Sequence, residues 1–129
     1  MQKITELYVL LEDKPGTIYE LTRVLKKKKV NIQAIGLFVD TARLLVENHI
    51  TCMKVLQEHG YAVEPREVLS ILMPNTPGAL MEITQKLSNA EINIKSLYGT
   101  MEKGQKTGHI IMEVDKMDLT LELFENDKF

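Results

Sequence analysis

The sequence has few of the residues that build covalent or metal-based frameworks. Cys52 is the only cysteine among 129 residues, so no disulfide can form within the chain, which fits a reducing compartment such as the cytoplasm. His49 precedes Cys52 by three positions, but no partner cysteine or histidine lies close enough to complete a ligand set. We therefore expect a cytoplasmic protein with no metal site and no other cofactor.

Long apolar runs and a strong excess of one charge are also missing. No uninterrupted apolar stretch approaches the roughly 18 residues that a membrane-spanning helix needs. Residues 1–14 are interrupted by charges and lack the apolar core of a signal peptide. The formal net charge is −2, which gives no support to nucleic-acid binding. The composition predicts a globular protein with neither a membrane nor a nucleic acid as its partner.

One stretch of the sequence occurs twice. Residues 11–35 align without a gap with residues 73–97, at an offset of 62 positions that places Pro15 on Pro77 and Gly16 on Gly78. A period of this size indicates two copies of one supersecondary unit. A unit of about 60 residues is only marginally stable alone, so we expect the copies to share a core or an interface.

The apolar patterns predict the same order of elements in both copies. In the first copy the predicted elements are strand 4–11, helix 17–28, strands 30–39 and 42–47 joined at Asp40-Thr41, helix 49–59 and strand 61–64. In the second copy they are strand 66–73, helix 79–90, strands 92–101 and 108–114, and helix 117–125, with almost no room left for a last strand. The prediction is an α+β fold of two ferredoxin-like βαββαβ units, residues 1–64 and 65–129, with antiparallel sheets and helices on one face.

The recurrent polar feature is the turn between the first strand and helix, residues 13–16 (DKPG) and 75–78 (NTPG). Glycine leaves the first N–H groups of the helix accessible, and the partial positive charge there suits a carboxylate. Asp13 or Asn75 adds an acceptor for an ammonium group. This combination suits a zwitterionic α-amino acid, while the alternative is that the turn is only structural and Asp or Asn caps it.

Other candidate sites are poor. Four consecutive lysines, residues 26–29, end the first helix, where cations are favoured by the helix dipole. A phosphate-binding patch is the alternative for them, although no aromatic residues are interleaved. Neither a catalytic set of nucleophile, base and orienting group nor a phosphate-cradling loop can be read from the sequence.

The order of strand, [D/N]-x-P-G-x-[L/I], helix and Asn-Ile resembles the ACT domain, a small ferredoxin-like regulatory module. Both copies match, with DKPGTI and NTPGAL, over nearly the whole chain. The resemblance implies that amino acids or other small metabolites bind between ACT units, where one unit's first strand–helix loop meets its neighbour's second strand. Mapped by position, it predicts the ligand-binding residues Asp13, Pro15, Gly16, Thr17, Ile18, Asn75, Pro77, Gly78, Ala79 and Leu80, with Asn31, Ile32, Asn93 and Ile94 on the opposing wall.

We therefore expect a non-catalytic regulatory protein that senses an amino acid as a homodimer and signals to a regulated enzyme or a regulator protein. Residues 32–39 are apolar at adjacent positions, which favours a hairpin covered by another unit or chain. The sequence ranks the Asn75 loop as the tighter carboxylate site, because it places no fixed negative charge beside the helix. A ligand-free scaffold and a small ferredoxin-like enzyme remain the alternatives.

Overall fold

The structure, a computed structural model, describes residues 1–127; positions 128 and 129 of the predicted second unit lie outside the described residues. The chain forms two compact units. One contains Thr5–Arg66, and the other combines Met1–Ile4 with the residues from Glu67 onward.

The secondary structure follows the predicted order of elements. The elements are β1 (Gln2–Leu10), α1 (Thr17–Lys27), β2 (Ile32–Phe38), β3 (Thr41–Val46), α2 (His49–Glu58), β4 (Val63–Pro74), α3 (Ala79–Asn89), β5 (Ile94–Thr100), β6 (Thr107–Val114) and α4 (Met117–Leu123). The predicted class of two βαββαβ-like units with antiparallel strands is confirmed.

The Thr5–Arg66 unit is built on alternating strand residues. β1 pairs antiparallel with β3 in a register that sets Leu7 opposite Leu44, and β3 pairs with β2 at the edge. Successive strand side chains point to opposite faces, so Leu7 and Leu44 lie fully buried against Leu21 of α1 and Leu56 of α2. Each such leucine stabilises the fold by about 1.5–3 kcal/mol.

The unit from Glu67 onward repeats this arrangement. β4 pairs antiparallel with β6, setting Ile71 opposite Ile110, and β6 pairs with β5. Ile83 and Leu87 of α3 are buried in the same core as Phe124, which follows α4. The core is therefore built on the same helix face as in the first unit.

The unit from Glu67 onward takes its last strand from the beginning of the chain. β1 is the neighbour of β4 in the sheet, and its first residues lie in this unit. Met1 packs against the unit's core, and the ammonium nitrogen of Lys3 lies 3.8 Å from the carboxylate of Glu67. The edge that the sequence left incomplete is thus filled by Met1–Ile4.

Two predicted boundaries were wrong. The strands expected at 61–64 and 66–73 are one continuous β4. Pro65 permits this because its fixed φ is compatible with extended backbone and because proline lacks only one N–H donor. The turn between β2 and β3 is Val39-Asp40 rather than Asp40-Thr41. Thr41 already pairs with Leu10 and Phe38, and Val39, which is exposed, takes the positive φ of 54° that the turn requires.

Removing residues 1–4, with a new initiator methionine before Thr5, should destabilise the unit from Glu67 onward. The loss of the partly buried Met1 and Ile4 should cost about 2 kcal/mol, measured by urea unfolding. Amide hydrogen exchange should rise in residues 67–74 and stay unchanged in β2 and β3, which serve as the internal control. Equal stability and unchanged exchange in residues 67–74 would show that the borrowed strand is dispensable.

Candidate functional site

The first strand–helix loop borders a cavity of about 530 Å³ in the Thr5–Arg66 unit. Its walls come from the end of β1 and the following loop, from Glu20 on α1, and from residues 60–62 that lead into β4. Pro15, Gly16 and Thr17, which the sequence predicts as site residues, line this cavity. Asp13 is an exposed neighbour of the lining, and Ile18 packs against the core of the unit.

Gly16 opens the N-terminus of α1 toward the cavity. Its φ of 86° lies in the left-handed region, and a Cβ added there would meet no described atom within 4 Å. Within residues 1–127, no side chain caps α1, whereas Asn48 caps α2 by accepting a hydrogen bond from the N–H of Thr51 at 3.2 Å. The first N–H groups of α1 are therefore available to an anionic group.

Charged side chains border the same cavity. The ammonium nitrogen of Lys14 lies 2.8 Å from the carboxylate of Glu12, and this hydrogen bond lowers the pKa of Glu12 and raises that of Lys14. Glu20 accepts hydrogen bonds from the guanidinium of Arg23, which lower the pKa of Glu20. Both carboxyl groups are thus ionised at neutral pH, and Glu20 can attract a cation.

The floor of the cavity is apolar. Leu10, Leu11 and Tyr61 line it, and Leu11 and Tyr61 are half-buried against the core of the unit. Burial raises the pKa of the Tyr61 phenol, and the negative charge of Glu20 raises it further. The phenol is therefore neutral and able to donate a hydrogen bond at physiological pH.

The sequence did not identify Glu20, Gly60 or Tyr61 as lining residues. Gly60 is not common to the two copies, because its equivalent in the second copy is Asn126. Only the folding of the segment before β4 against the first loop brings Gly60 and Tyr61 to the cavity. Gly60 takes a φ of 85°. In the sequence, a glycine directly after a predicted helix indicates the end of the helix rather than a binding site.

Asn31 and Ile32 lie apart from the loop cavity. They line a separate cavity of about 420 Å³ together with Lys26 and Lys29, near the C-terminal end of α1. Because α1 has 11 residues, it spans about 16 Å. The loop and the Asn-Ile wall of the same unit are therefore not brought together.

Asn93 and Ile94 have structural contacts in the unit from Glu67 onward. The N–H of Asn93 donates to Oδ1 of Asp115 at 3.0 Å, and the N–H of Asp115 donates to the carbonyl of Asn93 at 3.1 Å. Ile94 packs against the core and lies opposite Val114. This pair fastens the start of β5 to the end of β6.

The second strand–helix loop is joined to the loop between β5 and β6. The side-chain amide of Asn75 donates hydrogen bonds to the carbonyls of Glu102 at 2.7 Å and Gln105 at 3.0 Å. Gly78 has a φ of 90°, Pro77 is exposed, and Ala79 and Leu80 turn toward the core of the unit. The same motif therefore has different surroundings in the two copies.

Neither a metal cluster nor a membrane-spanning helix is found in the described part of the chain. No group of three or more His, Cys, Asp and Glu residues among positions 1–127 is placed to hold a metal ion. No helix in this range is long and apolar enough to cross a membrane.

Comparison with solved structures finds several proteins with this fold. A protein from Bacteroides thetaiotaomicron has 28% sequence identity and a TM-score of 0.87, covering 98% of this chain and 89% of that chain. The regulatory subunit of aspartate kinase from Thermus flavus has 11% identity and a TM-score of 0.69, covering 96% and 94%. Aspartokinase III of E. coli in complex with lysine and aspartate has 14% identity and a TM-score of 0.60, covering 100% of this chain and 32% of that chain.

The likeness to the two kinase proteins shows a shared fold, and none of the curated proteins matches this chain. The family model of the ACT domain pair matches residues 2–129. Because this match spans nearly the whole sequence, the chain belongs to the ACT domain pair family.

Proposed function

We propose that this chain is a regulatory protein that binds an α-amino acid at the cavity beside its first strand–helix loop. The proposal depends on one observation: the uncapped N-terminus of α1, the carboxylate of Glu20 and an apolar floor border the same cavity. Its volume of about 530 Å³ lies within the roughly 300–1,000 Å³ of small-molecule sites.

The two charged groups of the ligand have separate partners in this arrangement. The ligand carboxylate accepts hydrogen bonds from the N–H groups after Gly16, where the helix dipole favours negative charge. The ligand ammonium donates to Glu20, which lies four residues and thus about 6 Å further along α1. Hydrogen bonds between charged groups are about twice as strong as neutral ones, so this pair of contacts selects a zwitterion.

The third part of the ligand lies against the apolar floor. Leu10, Leu11 and Tyr61 favour a neutral, apolar side chain, because each buried methylene contributes about 0.8 kcal/mol. Apolar amino acids are therefore the preferred class of ligand.

The edge strand β2 supports a homodimer. Ile35, Leu37 and Val39 are 44%, 51% and 71% exposed on this edge and its turn. An apolar edge strand is a template for pairing with another chain, and Asn31 and Ile32 stand at its start. Pairing along this edge would bring a neighbour's Asn-Ile wall to the site, as the ACT resemblance implies.

Regulation follows from linkage between binding and arrangement. A ligand held where the first units of two chains meet stabilises the dimer arrangement that binds it better, and a partner enzyme or regulator protein responds to that arrangement. A cytoplasmic location is part of this proposal, since the single cysteine, Cys52, is buried and cannot form a disulfide within the chain.

A thermal-shift screen with each of the twenty amino acids tests the proposed ligand class. At a concentration 100 times the dissociation constant, a ligand should add about 2.7 kcal/mol to the free energy of unfolding. The largest shifts should come from apolar amino acids. The absence of a shift with all twenty would favour the ligand-free scaffold, and consumption of an amino acid would favour an enzyme.

The substitution Glu20→Gln tests the ammonium contact. Removing a hydrogen bond to a charged group costs about 1.5–3 kcal/mol, so affinity for the amino acid should fall about 10- to 150-fold in calorimetry. Affinity for a carboxylic acid that has the same side chain as the ligand but no amino group should not change. The control Glu58→Gln alters an exposed carboxylate on α2 and should bind like the parent, and equal losses for both ligands would place the ammonium elsewhere.

Sedimentation velocity of Leu37→Lys tests the homodimer. The substitution puts an unpaired ammonium group at each side of the proposed edge contact, which should raise the dimer dissociation constant at least about 100-fold. Ile50→Lys makes the same chemical change on α2, at a side chain that is 66% exposed, and should remain dimeric. A parent protein that is monomeric at micromolar concentration would refute the proposed association.

A further inference from the structure

A further cavity of the Thr5–Arg66 unit lies near the C-terminal end of α1. This α1–β2 cavity has a volume of about 650 Å³ and is lined by the turn between α1 and β2 and by the start of α2. No described residue lines both this cavity and the loop cavity, which borders the N-terminus of α1. Its volume lies within the roughly 300–1,000 Å³ of small-molecule sites, so the cavity has room for a ligand of its own.

Two ammonium groups border the α1–β2 cavity. Lys28 and Lys29 line it, and a helix-ending turn holds Lys29 in place. In this turn the N–H of Lys29 donates to the carbonyl of Lys26, and the N–H of Val30 donates to that of Leu25, both at 2.9 Å. Among residues 1–127, no ion pair occupies the ammonium group of Lys28 or Lys29. An arriving anion therefore does not have to displace a carboxylate from either lysine.

The start of α2 adds hydrogen-bond donors to the lining. Asn48 caps α2 with its Oδ1, which accepts a hydrogen bond from the N–H of Thr51 at 3.2 Å, so both hydrogens of its amide group remain as donors. The hydroxyl of Thr51 and the imidazole of His49 also line the cavity and can donate. Because α2 is already capped, the donors on this side of the cavity are side chains rather than the end of the helix.

One carboxylate also borders the cavity. Glu47 lines it together with the two lysines, and these two positive charges and one negative charge leave a net charge of +1 when His49 is neutral. A carboxylate repels an anion, but it accepts hydrogen bonds from hydroxyl groups. The lining therefore suits a ligand that has an anionic end and a body with hydroxyl groups.

The equivalent joint of the second copy is closed by the chain itself. Ala90 and Glu91 stand where the first copy has its two lysines. Lys116, at the cap position of α4, donates to the carbonyl of Glu91 at 2.9 Å, and Asp115 is hydrogen-bonded to Asn93. In the part of the chain that the structure describes, the first copy makes no such side-chain bond across the joint. The free cations and the cavity therefore occur together, in the first copy.

We propose that the α1–β2 cavity binds a small phosphomonoester with hydroxyl groups on its body. The phosphate carries close to two negative charges at neutral pH and lies between the ammonium groups of Lys28 and Lys29, with the amide of Asn48 as a further donor. Glu47 accepts hydrogen bonds from the hydroxyl groups. This site shares no residue with the proposed amino-acid site, so it does not depend on that function.

Calorimetric titration in a phosphate-free buffer tests the ligand class with ribose 5-phosphate, inorganic phosphate and ribose as probes. Ribose 5-phosphate should bind with one ligand per chain, and ribose should not bind. Inorganic phosphate should bind at least about 10-fold more weakly than ribose 5-phosphate, because it lacks the hydrogen bonds to Glu47. No binding of either phosphate probe at millimolar concentration would refute the site, and equal affinities would overturn the contact with the hydroxyl groups.

Matched double variants test the two lysines. Lys28→Gln combined with Lys29→Gln should lower the affinity for ribose 5-phosphate at least about 10-fold, since hydrogen bonds between charged groups are lost. The control, Lys27→Gln combined with Lys54→Gln, removes the same charge from exposed positions on α1 and α2 that do not line the cavity. It should bind like the parent, and equal losses in the two double variants would show attraction to net charge alone and overturn the site.

The substitution Asn48→Asp separates binding from stability. A carboxylate oxygen caps a helix as well as an amide oxygen does, so urea unfolding should not change. The substitution also replaces two donors with a negative charge, so the affinity for ribose 5-phosphate should fall at least about 10-fold. A variant with the stability and the affinity of the parent would overturn the placement of the phosphate beside α2.

Discussion

A left-handed backbone at one glycine in each copy controls both the fold and the site. With φ values of 86° and 90°, Gly16 and Gly78 let the first strand turn directly into the first helix of its unit. Most side chains avoid this region, so glycine is the favoured residue there. The absence of a side chain also keeps the first N–H groups of α1 accessible.

The repeated motif has different surroundings in the two copies. The first copy places its loop beside a short turn and beside residues 60–62, and the result is a cavity. The second copy places its loop beside a longer connection, and Asn75 uses its amide within the chain. Asn75 can make these contacts because an amide donates hydrogen bonds and an ionised carboxylate does not.

The borrowed strand shows why the two units depend on one chain. Met1–Ile4 lie with the residues from Glu67 onward, although they are the farthest from them in sequence. A strand needs only a neighbour with backbone groups in register, so the start of the chain can lie beside β4 in the sheet. This arrangement also limits where the chain can be cut or fused without loss of stability.

The sequence by itself determined the class of fold, the order of the elements and the position of both glycine turns. These depend on local patterns: the alternation that buries Leu7 and the helical spacing that buries Leu21. Tertiary structure alone decided that Tyr61 lies beside the first loop and that Asn75 reaches Glu102. Those contacts join segments that are distant in sequence, and local propensities do not predict which distant residue will fill a given space.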